Sequence, residues 1–374
     1  MIIEQGIIRD IVPDSRIGDG TQFSVIDALG MDIVPGFIDI HVHGGGGADF
    51  MDANFDAIQT VTYYHCKGGT TSLLATTASA RREQILETLS IVKSISQEQM
   101  KGARILGVHL EGPYFNFEKK GCHLPSSIRN PDPAEYNDIL QFHSIIKRMT
   151  LAPELPGALE LIKDLRKHNM LVSVGHSNAA YKLMEQIAQK GPLHTTHMYC
   201  AMSDVIKSGY KREAGIIPSV FLIDKITTEL IADGKHLPLE ILKLVVKIKG
   251  SEKIALCTDA MRGAGMPEGI YSFGPKDGNP ARVRNGEAVT LDESGFASSV
   301  VQMIDLVRVM ITNVGLSPEK VFYMASAVPA KVIGIYERVG SLEKGKFADF
   351  LVVSSDLKIK EVWIRGQLAV NNYQ

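Results

Sequence analysis

Two histidines, His41 and His43, stand one residue apart at the end of an apolar run, VPGFIDIHVHGGGG. In an extended chain residues i and i+2 face the same way, so both imidazoles leave one side of a strand, about 7 Å apart at the backbone. Side chains from that base can converge on a cation. Asp39 shares their parity and is placed to orient one of them by hydrogen bonding. A second i, i+2 pair, His109 and Glu111, closes the run GVHLEGP. Glutamate is almost never fully buried without a partner, so Glu111 wants a cation, whether a metal or an arginine. His109 lies deeper in the run and reads as a packed or supporting histidine. His176 ends LVSVGH, and the following Ser177 and Asn178 suit a helix cap. His194 and His197 lie three apart in HTTH. In a strand they point to opposite faces, so at most one enters a site, and His197 is nearer the end. Asp259 sits in ALCTDAM, after another apolar run. Taken singly, the later residues read as structural. Together, His41, His43, Glu111, His176, His197 and Asp259 form a mixed nitrogen and oxygen set that suits Zn²⁺ and admits Fe²⁺ or Mn²⁺. No cysteine is implicated, and a glutamate can bridge two cations. The chemistry implied is metal-assisted hydrolysis, with Asp259 taking a proton from water and passing it to a leaving amine.

These residues need a frame that gathers strand ends. Eight apolar, β-branched runs supply candidates: VPGFIDIHVH, TSLLATT, ARILGVHLEGP, IKRMTLAPE, NMLVSVGHS, PLHTTHMYC, TTELIADGKH and KIALCTDAM. Most are separated by stretches of helical spacing, such as FDAIQTVTYYHCKGG and ALELIKDLRKHN. Eight strands alternating with helices predict a closed (β/α)₈ barrel of the TIM type, whose active sites sit at the C-terminal rim of the strands. A doubly wound open sheet is the alternative, but Gly44 to Gly47 lack the GxGxxG spacing of its phosphate turn. AMSDVIKSGYKREAG, after the sixth run, reads as a loop. The segment after the eighth is long and rich in Gly and Pro before SVVQMIDLVRVMITNVG resumes a helical pattern. Both termini read as short strands, in MIIEQGIIRDIV and TQFSVIDALG at one end and GKFADFLVVSS and KIKEVWIRGQLAV at the other. The expected division is a small β domain from residues 1–34 and 340–374, and a hydrolase barrel over 35–339.

Composition narrows the class. The 374 residues can bury a large core. Forty basic and 42 acidic residues leave a net charge of −2, without the basic excess that a nucleic-acid partner requires. A small anionic ligand stays open. No apolar run approaches the roughly 18 residues of a membrane span. Glu4, Arg9 and Asp10 fall where a signal peptide needs an apolar core. Cys66, Cys122, Cys200 and Cys257 are scattered and form no CxxC pair, which points to a reducing cytoplasm.

The ordered motifs PGFIDIHVHGGGG, GVHLEGPYFNFEKKGCH, LAPE, GHSNAAY, THMYCAM, IADGKH, CTDAM and GSLEKGKFADFLVV resemble the amidohydrolase superfamily and, within it, the N-acetylglucosamine-6-phosphate deacetylases. Many of the superfamily carry a carboxylated lysine after the fourth strand. Here that strand reads MTLAPE, unlike a dihydroorotase or hydantoinase. The resemblance implies a (β/α)₈ barrel with a small β-sandwich domain built from both termini. It implies metal ligation by Glu111, His176 and His197 and catalysis by Asp259. With histidines at 41 and 43 it brings in a second metal, touched by Asp259 and bridged by Glu111. The implied substrate contacts are Cys122, His123, Cys200, Ala201, His236, Phe296, Ala297 and Ser298. Arg212 is the implied phosphate-binding residue, its guanidinium fork matching phosphate oxygens, with Lys207 and Lys211 adding charge. Cys200 stands where the family has Asn, and Phe296 to Ser299 read FASS where many members read LAGS. The implied reaction is hydrolysis of N-acetylglucosamine-6-phosphate to glucosamine-6-phosphate and acetate by one or two divalent cations, most simply Zn²⁺. Other substrates stay open: the galactosamine epimer, an unphosphorylated N-acetyl amino sugar, or another N-acyl amine. A sugar-phosphate-binding protein without catalysis is the reading from another class, and the complete set of six residues counts against it. The expected partner is a small amino-sugar phosphate, with no nucleic acid and no membrane. The resemblance also implies a homodimer.

Overall fold

The computed structural model describes residues 1–13, 24–95 and 100–373. Its centre is one sheet of eight strands in chain order: Phe37–Val42, Thr70–Thr77, Arg104–Glu111, Ile146–Leu151, Leu171–Val174, Leu193–Thr195, Thr227–Leu230 and Ile254–Leu256. All seven ladders between neighbours are parallel. They coincide with the eight predicted runs. Helices cover the outer face, so the first two strands are buried along their whole length. That explains why they read as continuous apolar runs rather than alternating ones. The helix Ala158–Lys167 buries Ala158, Leu161, Ile162 and Leu165, a single i, i+3, i+4, i+7 stripe. The helix Phe55–Lys67 begins where the Asn54 side chain accepts from the Ala57 N–H.

The eighth strand is joined to the first at their C-terminal ends. The Asp259 N–H donates to the His41 carbonyl at 2.8 Å, and the His43 N–H donates to the Ala260 carbonyl at 2.9 Å. Asp39 supplies the rest of the seam. Its Oδ1 accepts from the N–H groups of His41 at 3.2 Å and Thr258 at 3.3 Å, and its Oδ2 accepts from the Thr258 hydroxyl. Asp39 was expected to orient an imidazole. Its short side chain instead ends at the neighbouring strand's backbone, so it fastens the barrel. Burial pushes its carboxyl up to about 7, against the pull of those donors.

Two connections differ from expectation. The stretch after the sixth strand is a hairpin, Val205–Ser208 with Lys211–Ala214, followed by the helix Ile216–Leu222. Its two-residue turn starts with Gly209 at φ +61°, the conformation that a tight hairpin of this length requires. After the eighth strand the Gly/Pro-rich segment forms a three-stranded antiparallel sheet, Gly269–Ser272, Pro280–Arg284 and Glu287–Thr290. The glycines after the first strand serve close packing: a Cβ on Gly44 would lie 2.4 Å from the Ala48 carbonyl oxygen.

At the termini, Ile2–Glu4 pairs with Ile7–Asp10. A four-stranded antiparallel sheet runs in the order Gln367–Asn371, Ile359–Ile364, Phe350–Val353, Asp32–Pro35. Backbone bonds from Ile8 to Lys346 and from Ala348 to Gly6 tie the two ends of the chain together. Ile8, Ala348, Phe350 and Val352 share a small core, with Trp363 stacked on Phe350. Among the described residues of TQFSVIDALG the predicted strand is not formed. Residues 24–28 carry no regular structure, and Val25 is 75% exposed with no apolar surface over it. The pairing strand is Asp32–Pro35, and Thr21 to Phe23 lie outside the described residues.

Replacing Asp39 with Ala strands the buried donors of Thr258 and is expected to cost about 3 kcal/mol of stability. The check is a urea midpoint that falls with an unchanged denaturant slope. Asp39→Asn, which keeps an acceptor, should lose less.

Candidate active site

Glu111, the last residue of the third strand, is 1% exposed and lies at the centre of a ring of imidazoles. Its Oε1 is 3.1 Å from His197 Nε2 and 3.3 Å from the Nε2 atoms of His41 and His176. Its Oε2 is 3.1 Å from His43 Nε2 and 3.3 Å from His123 Nε2. Asp259 closes the ring, with Oδ1 at 3.3 Å from His41 Nε2 and 3.2 Å from His43 Nε2. All six residues predicted to form the metal and catalytic set are therefore together. The i, i+2 argument holds for His41 and His43, whose Nε2 atoms are 3.3 Å apart. It does not extend to His176, His197 and Asp259. These lie beyond the last paired residues of their strands and have φ of +49°, +30° and +48°. Non-glycine residues hold such conformations at a cost of roughly 1–3 kcal/mol each, and they cluster at functional sites.

Hydrogen bonds assign several ring protons. His41 Nδ1 lies 2.7 Å from the Glu229 carboxylate, and His176 Nδ1 lies 2.7 Å from the Lys119 carbonyl. Both acceptors require a proton on Nδ1, which turns the Nε2 lone pairs toward Glu111 and, for His176, toward His197 Nε2 at 3.1 Å. Lone pairs aimed at a carboxylate and at one another need a positive charge between them. The same demand appears in the titration of His43. Burial alone would favour its neutral form, but hydrogen bonds and charge from Asp259 and Glu111 outweigh it and raise the group to about 9. His41, His43 and Glu111 bring ligand atoms close enough to share one ion. The donor set fits a divalent cation.

Beneath this ring lies a buried polar layer. Glu229, from the seventh strand, bonds to the Arg148 guanidinium through both oxygens, to His194 Nε2 at 3.3 Å and to the His197 N–H at 3.2 Å. Burial raises this carboxyl, but Arg148 and His41 pull it back well below the usual range. His194 thus faces the layer below while His197 enters the ring. His109 also stays below, with Nε2 2.7 Å from the Thr150 hydroxyl and its ring edge-on to His41. Glu229 and Arg148 were not singled out from sequence. The available signal was two opposite charges inside apolar strands, TTEL and IKRMTL.

The ring forms the floor of a cavity of about 380 Å³, a volume that suits a small ligand. The amidohydrolase family pattern matches residues 33–369. The chain belongs to the amidohydrolase family. It is 37% identical to the N-acetylglucosamine-6-phosphate deacetylase of Bacillus subtilis strain 168, over 90% of this chain and 84% of the relative. It is 32% identical to the N-acetylgalactosamine-6-phosphate deacetylase of Escherichia coli O157:H7, over 99% and 97% of the two chains. The crystal structure of the N-acetylglucosamine-6-phosphate deacetylase of Pasteurella multocida superposes with a TM-score of 0.91 at 30% identity, covering 99% of this chain and 94% of that one. This amidohydrolase is a hydrolytic enzyme.

Most of the implied substrate contacts line the cavity of this amidohydrolase: Cys122, His123, Cys200, Ala201, His236, Phe296 and Ser298. His236 Nδ1 is 2.8 Å from the Asp233 carboxylate, and its ring stacks on Phe296. The Ser298 hydroxyl donates to Asp259. Ala297 is buried behind the lining, its N–H bonded to the Ala288 carbonyl. Arg212 is not brought to the cavity. The unexpected hairpin carries it outward, exposed and opposite Lys207 in the register, with Lys211 beside it. Among the described residues, the cation lining the cavity is Lys119, which sequence reasoning passed over. Phe115, stacked on His176, and Phe273, edge-on to His43, wall the ring.

Chelator-stripped protein should gain stability when Zn²⁺ is restored, by about 2.7 kcal/mol at a free concentration of 100 times Kd. Thermal unfolding with and without the ion measures this. His176→Ala and His197→Ala should each remove most of the gain.

Proposed function

We propose that this chain hydrolyses the acetamide of N-acetylglucosamine-6-phosphate, giving acetate and glucosamine-6-phosphate. The observation that carries this reading is the Glu111-centred ring with Asp259, set at the floor of a cavity sized for an amino sugar. The relatives named for this reaction cover nearly the whole chain. We assign His41, His43, Glu111, His176, His197 and Asp259 to hold the cation, Zn²⁺ by the chemistry of the set, as one or two ions. When bound, such a cation supplies Lewis-acid polarisation of a carbonyl and acidifies water.

The chain's own residues supply the proton movements. Burial raises the Asp259 carboxyl, but His41 and His43 outweigh it and hold the group below its usual value. It is therefore ionised and able to take a proton from water, then return it to the departing amine. The Ser79 N–H donates to His123 Nδ1 at 3.1 Å, which puts that ring's proton on Nε2. Burial keeps His123 neutral, so this N–H is the donor for the carbonyl oxygen as it gains charge. Asp233 accepts the Nδ1 proton of His236, leaving Nε2 to accept from a sugar hydroxyl. Phe296, stacked on that ring, restricts its rotation. Lys119 and the backbone amide of Ala201 serve the phosphate, the Cys200 N–H being bonded to the His197 carbonyl.

Several finer assignments go with this reading. The catalytic unit is residues 35–339, with 1–34 and 340–374 as a separate small β unit. The protein works as a homodimer, an arrangement supported by the outward hairpin with Val205 and Tyr210 exposed. In that dimer Arg212 adds its charge at the partner's cavity. A cytoplasmic location is supported by four free cysteines. Among the described residues no helix is long and apolar enough to cross a membrane. A second substrate, N-acetylgalactosamine-6-phosphate, is favoured by the end-to-end match to a relative named for that epimer.

Acetate release from the two epimers and from unphosphorylated N-acetylglucosamine, compared as kcat/KM, tests the substrate. A preference of about 100-fold for the phosphorylated glucosamine derivative supports the proposal, and equal rates without phosphate overturn it. Asp259→Asn should lower kcat by about 10³-fold while metal content persists. Near-normal turnover in that variant would remove Asp259 from its role. Lys119→Met should raise KM about tenfold for the phosphorylated substrate alone.

A further inference from the structure

Glu229 is fully buried and touches none of the space in which a substrate would sit. Its two oxygens are nevertheless fully engaged. Oε1 takes the His41 Nδ1 proton at 2.7 Å, the His197 N–H at 3.2 Å and Arg148 Nη2 at 3.0 Å. Oε2 faces Arg148 Nη1 and His194 Nε2. One carboxylate therefore grips residues of the first, fourth and sixth strands from the seventh. Two of the gripped residues, His41 and His197, belong to the ring around Glu111. Although His41, Glu229 and Cys257 lie close enough to share an ion, the acceptor capacity of Glu229 is already used by these donors.

We propose that Glu229 is a positioning residue that holds His41 as its Nδ1–H tautomer and so aims the Nε2 lone pair at the cation. The inference rests on reading the ring as a divalent-cation site. The physical argument concerns what His41 would face otherwise. Arg148 is a donor at every nitrogen, 0% exposed, and sits directly under the ring. Without an acceptor between them, His41 Nδ1 would best present a lone pair downward. Its proton would then sit on Nε2, where it blocks ligation. Glu229 reverses that preference and pairs the arginine at the same time. Bonding the far nitrogen of a metal-binding histidine to a carboxylate is a known way to fix ring orientation and raise basicity.

The test is the Zn²⁺ affinity of the full chain, measured by competition with a chromophoric chelator, in wild type, Glu229→Met/Arg148→Met and Glu229→Gln/Arg148→Met. Both variants lack the ion pair. In the first, no acceptor is left for the His41 Nδ1 proton, and affinity should fall roughly 10- to 100-fold. In the second, the amide oxygen can face His41 and the His197 N–H, and affinity should recover most of that loss. An ion pair with only a structural role predicts equal losses in the two variants. Undiminished affinity in Glu229→Met/Arg148→Met overturns the proposal. Should that variant not fold, ¹⁵N shifts of the His41 ring in the Zn²⁺-loaded wild type decide: a protonated Nδ1 with ligation through Nε2 supports it, and ligation through Nδ1 overturns it. If the wild type itself takes up no Zn²⁺, the cation reading falls, and that result is distinct from an affinity that survives loss of Glu229.

Discussion

The structure is organised around a carboxylate that has been taken out of water. Glu111 stands at the mouth of the barrel with five imidazole nitrogens within 3.3 Å, and Asp259 adds a second negative charge to the same space. Burying an unpaired charge is among the most expensive things a fold can do. The arrangement persists because the histidines and a cation that they can hold return the favourable interactions that water would have supplied. Much of the rim follows from that requirement: which rings point inward and which ring nitrogens carry protons.

The bonds that close the barrel are also bonds of the site. The His41 carbonyl and the Asp259 N–H join the first and eighth strands, and their side chains meet above that bond. Asp39 and Thr258 lock the strands just beneath. The catalytic geometry thus inherits the rigidity of the sheet, whereas three of the ring residues sit in left-handed backbone just beyond it. Local strain of this kind is tolerable where the surroundings over-determine the conformation. The polar layer of Glu229, Arg148, His194 and Thr196 provides such surroundings from below.

Much of this was legible in the residues themselves. The eight strands announced themselves as buried β-branched runs, because a parallel sheet covered on both faces leaves no polar alternation to obscure them. His41 and His43 were placed by period-two geometry, and Glu111 by the cost of burying it. Where the chain leaves regular structure, the signal fails. Nothing in REAG says that a type of turn at Gly209 will carry Arg212 away from the cavity. Lys119 lines the cavity from the short 3₁₀ turn Phe117–Lys119, whose placement depends on packing, and nearby His123 joins the ring through a bond from Ser79 on another loop.

The sequence by itself determined the fold class and which histidine, glutamate and aspartate side chains stand at the strand ends. Each depends on residue type and short-range periodicity, which are local properties. Tertiary structure alone decided which partner each buried polar atom would meet. Glu229 and Arg148 are 81 residues apart, and Glu229 and His41 are 188 apart. Their pairing depends on the closure of the barrel, which brings strands distant in sequence across one interior. No local pattern encodes that distance, so the layer that sets the tautomer of His41 became visible only once the strands were in place.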